Sequence, residues 1–114
     1  IAGMEPDDDK LLGFSAPCFQ LKHPVGKQWM AIGDAAAAFD PITAQGIIKS
    51  ITQGMRAAKI IAHYSRGAPD ALAYFEHEVS NQYDQYTAAR QHFYQLEQRW
   101  PESIFWKTMH ETLG

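Results

Sequence analysis

The chain has 114 residues, 46% hydrophobic and 20% charged, with a net charge of −3; that fits one globular domain and excludes a disordered chain. Lys and Arg are scattered rather than gathered on one face, and no apolar run approaches the roughly 20 residues of a membrane helix, so neither a nucleic-acid nor a membrane partner is expected. Cys18 is the single cysteine, which rules out an intrachain disulfide and fits a reducing, cytoplasmic compartment.

Residues 1–13 carry no signal-peptide pattern and contain the acidic run Glu5 to Lys10. Leu11 and Leu12 fall where a calcium loop would need a ligand and a glycine, so an acidic linker is the expectation. Residues 14–22 alternate loosely between apolar and polar, as a strand does, and Cys18 within them reads as a buried, inert thiol. Pro24 and Gly26 mark a turn, and the apolar run Gln28 to Ile32 reads as a buried strand ending at Gly33. Residues 14–32 therefore predict a β-hairpin, or two strands of a sheet whose other members lie elsewhere. Two strands alone are barely stable in water, a first sign of missing chain.

Ala35 to Ala38 is helix-prone but short. A helix is predicted from Thr43 to Ser65, with Ala44, Ile47, Ile48, Ile51, Met55, Ala58 and Ala62 as its buried face and Lys49, Gln53, Arg56 and Lys59 interrupting it. Gly67 is placed to end that helix and Pro69 to open the next. Leu72, Val79, Tyr86, Phe93 and Trp100 then recur every seven residues, with Phe75, Tyr83, Ala89 and Leu96 between them. The pattern predicts one helix of about 30 residues with a single apolar face. Pro101 starts a last short helix whose apolar side holds Phe105, Trp106, Met109 and Leu113. The expected fold class is mainly α with a short β-hairpin. An aromatic stripe of this kind is ordinary core packing against a neighbour more often than a ligand wall.

The chemistry-bearing stretch is Trp29 to Ile47, WMAIGDAAAAFDPITAQGI. Gly33 permits a sharp turn at the end of a strand. Asp34 offers a carboxylate to sugar-like hydroxyls, with Ala35 and Ala36 leaving room beside it. Pro41 stiffens the connection. Gln45, Gly46 and Ile47 open a helix whose free N–H groups suit a partly negative ligand atom. The bland reading of the same residues is a strand-ending turn followed by a capped helix.

This stretch resembles the second flavin-contacting motif of the FAD-dependent monooxygenases and reductases, the superfamily of aromatic hydroxylases, geranylgeranyl reductases and flavin-dependent halogenases. The resemblance implies a fragment of a larger α/β FAD-binding protein with a two-dinucleotide-fold-like architecture. In it, Asp34 holds a ribityl hydroxyl of FAD and Gly33 shapes the approach. The helix after Pro41 aims its backbone at Gln45, Gly46 and Ile47 toward the pyrimidine side of the isoalloxazine, where a positive helix end favours the anionic reduced flavin. Asp40-Pro41 looks like the halogenase-like branch. The form GDAA…FDP…QGI resembles its monooxygenase-like members, including those thought to modify tryptophan side chains in quinoprotein maturation, and residues 94–106 look like their helical tail.

The resemblance covers residues 16–63 and, more weakly, the tail. It divides the chain into a linker (1–13), the C-terminal part of an FAD-binding domain (14–67) and a helical tail (68–114). Ala44 stands where many relatives carry Gly or Ser, and Lys49 where many hydroxylases carry Asn. The N-terminal GxGxxG fingerprint is absent, so a missing N-terminal FAD-binding portion is the implied partner, with NAD(P)H or a flavin reductase as electron donor and a small-molecule or peptide substrate. The halogenases' tryptophan-rich motif is also absent, and halogenation itself is not expected.

No general acid or base stands out. The five histidines lack metal-ligand spacing and no G-x-S-x-G elbow is present, so neither a metal site nor a hydrolase triad is expected. Glu76, His77 and Glu78 read as a solvated helix face, and Lys107 with Glu111 as an i, i+4 pair. Taken alone, the fragment should self-associate through its long helix. The rival reading is a stand-alone helical interaction module without cofactor.

Overall fold

A computed structural model describes residues 16–113. The acidic run and the first residues of the expected strand at 14–22 lie outside them. In chain order, β1 (Phe19–Gln20), β2 (Val25–Gly26) and β3 (Trp29–Met30) precede a 3-10 turn at Gly33–Ala35, β4 (Ala37–Ala38) and a second 3-10 turn at Pro41–Thr43. Three helices follow: α1 (Gly46–Ser65), α2 (Asp70–Leu96) and α3 (Ile104–Leu113). The fold is mainly helical with short antiparallel strand pairs, the class expected from the sequence.

A hairpin is present, but not the expected one: β2, with Val25 opposite Met30 and Gly26 opposite Trp29 of β3, falls in the stretch expected to be the turn. The first strand does not join it. β1 pairs instead with β4, Phe19 opposite Ala38 and Gln20 opposite Ala37. The cause is the Gly33–Ala35 turn. It reverses the chain after β3, so the Ala-rich stretch returns as a strand rather than starting a helix. Trp29, expected in a buried strand, is exposed.

α1 starts three residues later than the spacing predicts, because Pro41–Thr43 forms its own 3-10 turn and Ala44 closes that turn in the left-handed region at φ 49°. It ends as expected, with Gly67 at φ 92° just beyond the last turn.

The buried face of α1 is the reverse of the expected one. Lys49, Gln53, Ala57 and Ile60 face inward, spaced four, four and three apart. Ile47, Ile48, Ile51 and Met55 are 59% to 78% exposed. Burying Lys49 and Gln53 is tolerated because both find polar partners in the loop ahead of the helix.

α2 runs 27 residues and packs its first half on α1, with Phe75 and Val79 at the centre of the core alongside Ala36, Ala37, Ala57 and Ile60. The seven-residue stripe holds through Val79 and Tyr86 and then fails: Phe93 is exposed and its neighbour Tyr94 is buried. An α-helix of 3.6 residues per turn drifts about 20° per heptad, so three heptads turn Phe93 away from the face and bring Tyr94 onto it. Trp100 lies beyond the end of the helix and is exposed.

Two polar expectations are also corrected. Glu78 turns from solvent to pair with Arg56 of α1, whereas Glu76, which takes His23 at 2.8 Å in an exposed bond, and His77 stay on the solvated side as expected. Lys107 reaches Glu102 at 2.9 Å, not Glu111. The radius of gyration, 18.7 Å, exceeds the roughly 13 Å of a compact domain of this length.

Candidate flavin-facing site

Gly33 carries the turn at φ 61°, where an L side chain is strained. A Cβ at this position would also lie 2.7 Å from the Ser50 hydroxyl. The space beside the glycine is thus taken by α1. The Gly33 N–H donates to the Gln53 side-chain carbonyl at 2.7 Å, and the Gln53 amide nitrogen donates in turn to Gln82 on α2 at 2.9 Å. Gln53 bridges motif, α1 and α2 from within the core.

Asp34 follows directly and its side chain is 71% exposed. Its Oδ1 accepts from the Lys49 ammonium at 2.8 Å. Lys49 is the opposite case, with a side chain only 6% exposed. Its ammonium also donates to the Ala37 carbonyl and sits 3.9 Å from the centroid of the Phe39 ring. An unpaired buried ammonium would cost several kcal/mol. Here three partners surround it, and the carboxylate among them points the pair's accessible end toward solvent.

Pro41 opens the second 3-10 turn, with Asp40 as its cap: Asp40 Oδ1 accepts from the Ile42 N–H at 3.0 Å. The other Asp40 oxygen is held from the helical tail, by the Tyr94 hydroxyl at 2.9 Å and by Arg90 at 3.3 Å. The Asp40 N–H donates to Tyr86 at 2.6 Å, and Tyr86 stacks on Phe39 with centroids 4.1 Å apart. Cys18, half-buried rather than sealed in the core, places its sulfur 3.1 Å from the same Tyr86 hydroxyl. Burial disfavours the charged Asp40, but the hydrogen bonds from Ile42, Tyr94 and Arg90 outweigh it and lower its pKa below the ordinary value. Burial and the hydrogen bond with Cys18 push the Tyr86 hydroxyl upward.

Beyond Ala44, Gln45 is the N-cap of α1, and no side chain caps this end. A Cβ added at Gly46 would meet nothing within 4 Å, and Ile47 is exposed. The N-terminal end of this 20-residue helix is therefore uncapped and open. A cleft of about 590 Å³ begins beside Gln45 and runs between α1 and α2, lined also by Phe39, Lys49, Gln82, Gln85 and Tyr86.

Of the residues singled out in the sequence, Gly33 and Asp34 sit against the first two turns of α1, while Gln45, Gly46 and Ile47 form its open tip. Pro41 shapes the loop between them. Sequence reasoning missed Lys49 and Gln53, which hold the motif, and Tyr86, Arg90 and Tyr94, which hold the loop. The available signal was two polar residues four apart, continued at Ala57 and Ile60 on one stripe. Among the described residues no group of three His, Cys, Asp or Glu side chains could hold a metal. No helix of the described residues is long and apolar enough to cross a membrane.

The chain is 30% identical over 110 residues to the "Putative FAD-dependent oxidoreductase LodB" of Marinomonas mediterranea. The chain is similar to part of a flavin-dependent oxidoreductase. The match takes in 96% of this chain but 29% of the relative, so the chain spans under a third of that protein's length. No protein-family model and no solved structure matches. Because the match spans 110 residues of the chain, it takes in the whole Gly33–Ile47 motif and nearly all of the helical tail.

Proposed function

We propose that this chain is the flavin-facing C-terminal part of a halogenase-like FAD-dependent monooxygenase acting on an organic or peptide substrate. One observation carries the reading: an exposed carboxylate, Asp34, is anchored by a buried cation beside the uncapped N-terminus of a long helix. That pairing offers an acceptor for a ribityl hydroxyl and donors for the pyrimidine oxygen of the same cofactor. The donor set and the bare Gly46 fit FAD, which when bound supplies the oxidation chemistry.

In this reading Asp34 binds the ribityl chain, with Gly33 setting its place, and the backbone at Gln45, Gly46 and Ile47 receives the isoalloxazine. Pro41 keeps the two apart at fixed distance. The pyrophosphate grip, and the cover over the exposed face of α1, belong to an N-terminal FAD-binding portion. The electron donor is NAD(P)H or a flavin reductase. The cleft beside Gln45 is the candidate place for a substrate side chain, and the substrate is a small molecule or a peptide, a tryptophan side chain among the candidates.

The test is FAD content of the full-length protein after Asp34→Ala. A loss of bound flavin supports the reading. Unchanged flavin content removes Asp34 from this role and favours the rival, a helical interaction module for which the exposed apolar face of α1 is the contact surface.

A further inference from the structure

We infer that Lys49 is a positioning residue for the flavin site, acting through Asp34. The inference rests on the reading that Asp34 binds FAD. The ammonium is almost fully enclosed and is held at three places, by Asp34 Oδ1, by the Ala37 carbonyl and by the face of Phe39. It is therefore locked in orientation and cannot swing out to meet a ligand itself. What it does is fix one oxygen of a carboxylate whose side chain is otherwise mostly in solvent.

A free aspartate on a turn samples several rotamers, and a ligand must then freeze it at an entropic cost. With Oδ1 tied to a helix, Asp34 is set in one rotamer before a ligand arrives. Lys49 also lies one turn into α1, the helix whose tip would face the flavin ring, so a single side chain sets the spacing between the ribityl acceptor and the ring-facing backbone. Helix packing alone does not call for a cation here. A methionine would fill the same stem volume without burying a charge.

The experiment is a double-mutant cycle on FAD dissociation from the full-length protein, read by flavin fluorescence, with thermal unfolding of the flavin-free form measured alongside. Lys49→Met should weaken FAD binding about tenfold when Asp34 is present and less than about twofold when Asp34 is already Ala. Lys49→Arg, which keeps the charge, should recover part of the loss. Equal losses in both backgrounds would assign Lys49 a merely structural role and overturn the inference. Should Lys49→Met fail to fold, Lys49→Leu, which likewise has no donor for Asp34, takes its place in the cycle with the same criterion. If Asp34→Ala itself leaves FAD binding unchanged, the reading of Asp34 has failed. If Asp34→Ala weakens binding and neither Lys49 variant does, the role assigned to Lys49 has failed.

Discussion

Tyr94 on α2 donates its hydroxyl proton to Asp40 in the motif loop at 2.9 Å, across 54 residues of sequence. This bond, with Arg90 beside it, fastens the helical tail to the loop that leads into α1. The tail is thereby part of the site's scaffold. His110 of α3 continues the tie by bonding the Tyr94 backbone carbonyl at 3.0 Å, and Trp106 packs 5.8 Å from the Tyr94 ring. Tyr94→Phe keeps the ring and its packing and removes one hydrogen bond to a charged acceptor. The expected loss is about 1–2 kcal/mol, a fall of about 5–10 °C in Tm by thermal denaturation. An unchanged Tm would mean that the loop's other ties, Arg90 and Tyr86 among them, hold it without this bond.

Asp40 also gives the fold an acid limit. Its carboxyl is lowered below the ordinary value of 3.8 in the folded state, so it binds fewer protons folded than unfolded through that window. Its contribution is fully present above the unfolded value and is lost as pH falls through the folded one. Tm profiles from pH 7 down to about 3 should therefore converge for the native protein and Asp40→Asn, with the variant less stable at neutral pH and its decline shallower in acid. A gap of constant size across that range would show that Asp40 is not the titrating group.

Ala44 is the one non-glycine residue with positive φ among those described. The left-handed region costs an L residue about 1–2 kcal/mol, partly offset by the greater chain entropy a glycine would lose. Ala44→Gly should raise stability by about 0.5 kcal/mol and leave the start of α1 in place, as checked by urea denaturation. A glycine at this position would have a physical basis in this turn. A clear loss of stability would mean that the turn relaxes in solution to a conformation alanine prefers.

Gly33 faces two constraints at once, its φ of 61° and the Ser50 hydroxyl in the space a Cβ would occupy. Gly33→Ala should cost about 2–3 kcal/mol in unfolding free energy. Adding Ser50→Gly removes the collision but not the dihedral strain, so the double variant should recover only part of the loss after the separate helix cost of Ser50→Gly is subtracted. Full recovery would show that the backbone conformation is not strained.

Local punctuation made much of this legible in the sequence. Gly67 and Pro69 mark the break between α1 and α2, and the Gly33-Asp34 pair and the Gly46 helix start were visible as a motif. What escaped were contacts whose partners lie far along the chain. Whether α1 turns Lys49 or Ile51 inward depends on Asp34 and Ala37 supplying acceptors for a buried ammonium, which no helical periodicity reports. β1 choosing β4 over β3 follows from one three-residue turn. Tyr94 replacing Phe93 on the buried face follows from accumulated helix drift, small per heptad and decisive after three.

The outward face of α1 leads to the last prediction. Ile47, Ile48, Ile51 and Met55 form an apolar stripe beside the helix tip, with more than half of each residue in water. A contiguous patch of this kind on a free chain drives association, because burying each such side chain is worth about 1.5–3 kcal/mol. The 114-residue chain should therefore form dimers or larger species in size-exclusion chromatography with light scattering. Ile51→Glu with Met55→Lys, an i, i+4 pair on that stripe, should shift it toward monomer without lowering its helix content by circular dichroism. A clean monomer for the unsubstituted chain at high concentration would show that the stripe is not sticky enough to need a cover, and would weaken the case that a further portion of polypeptide packs against it.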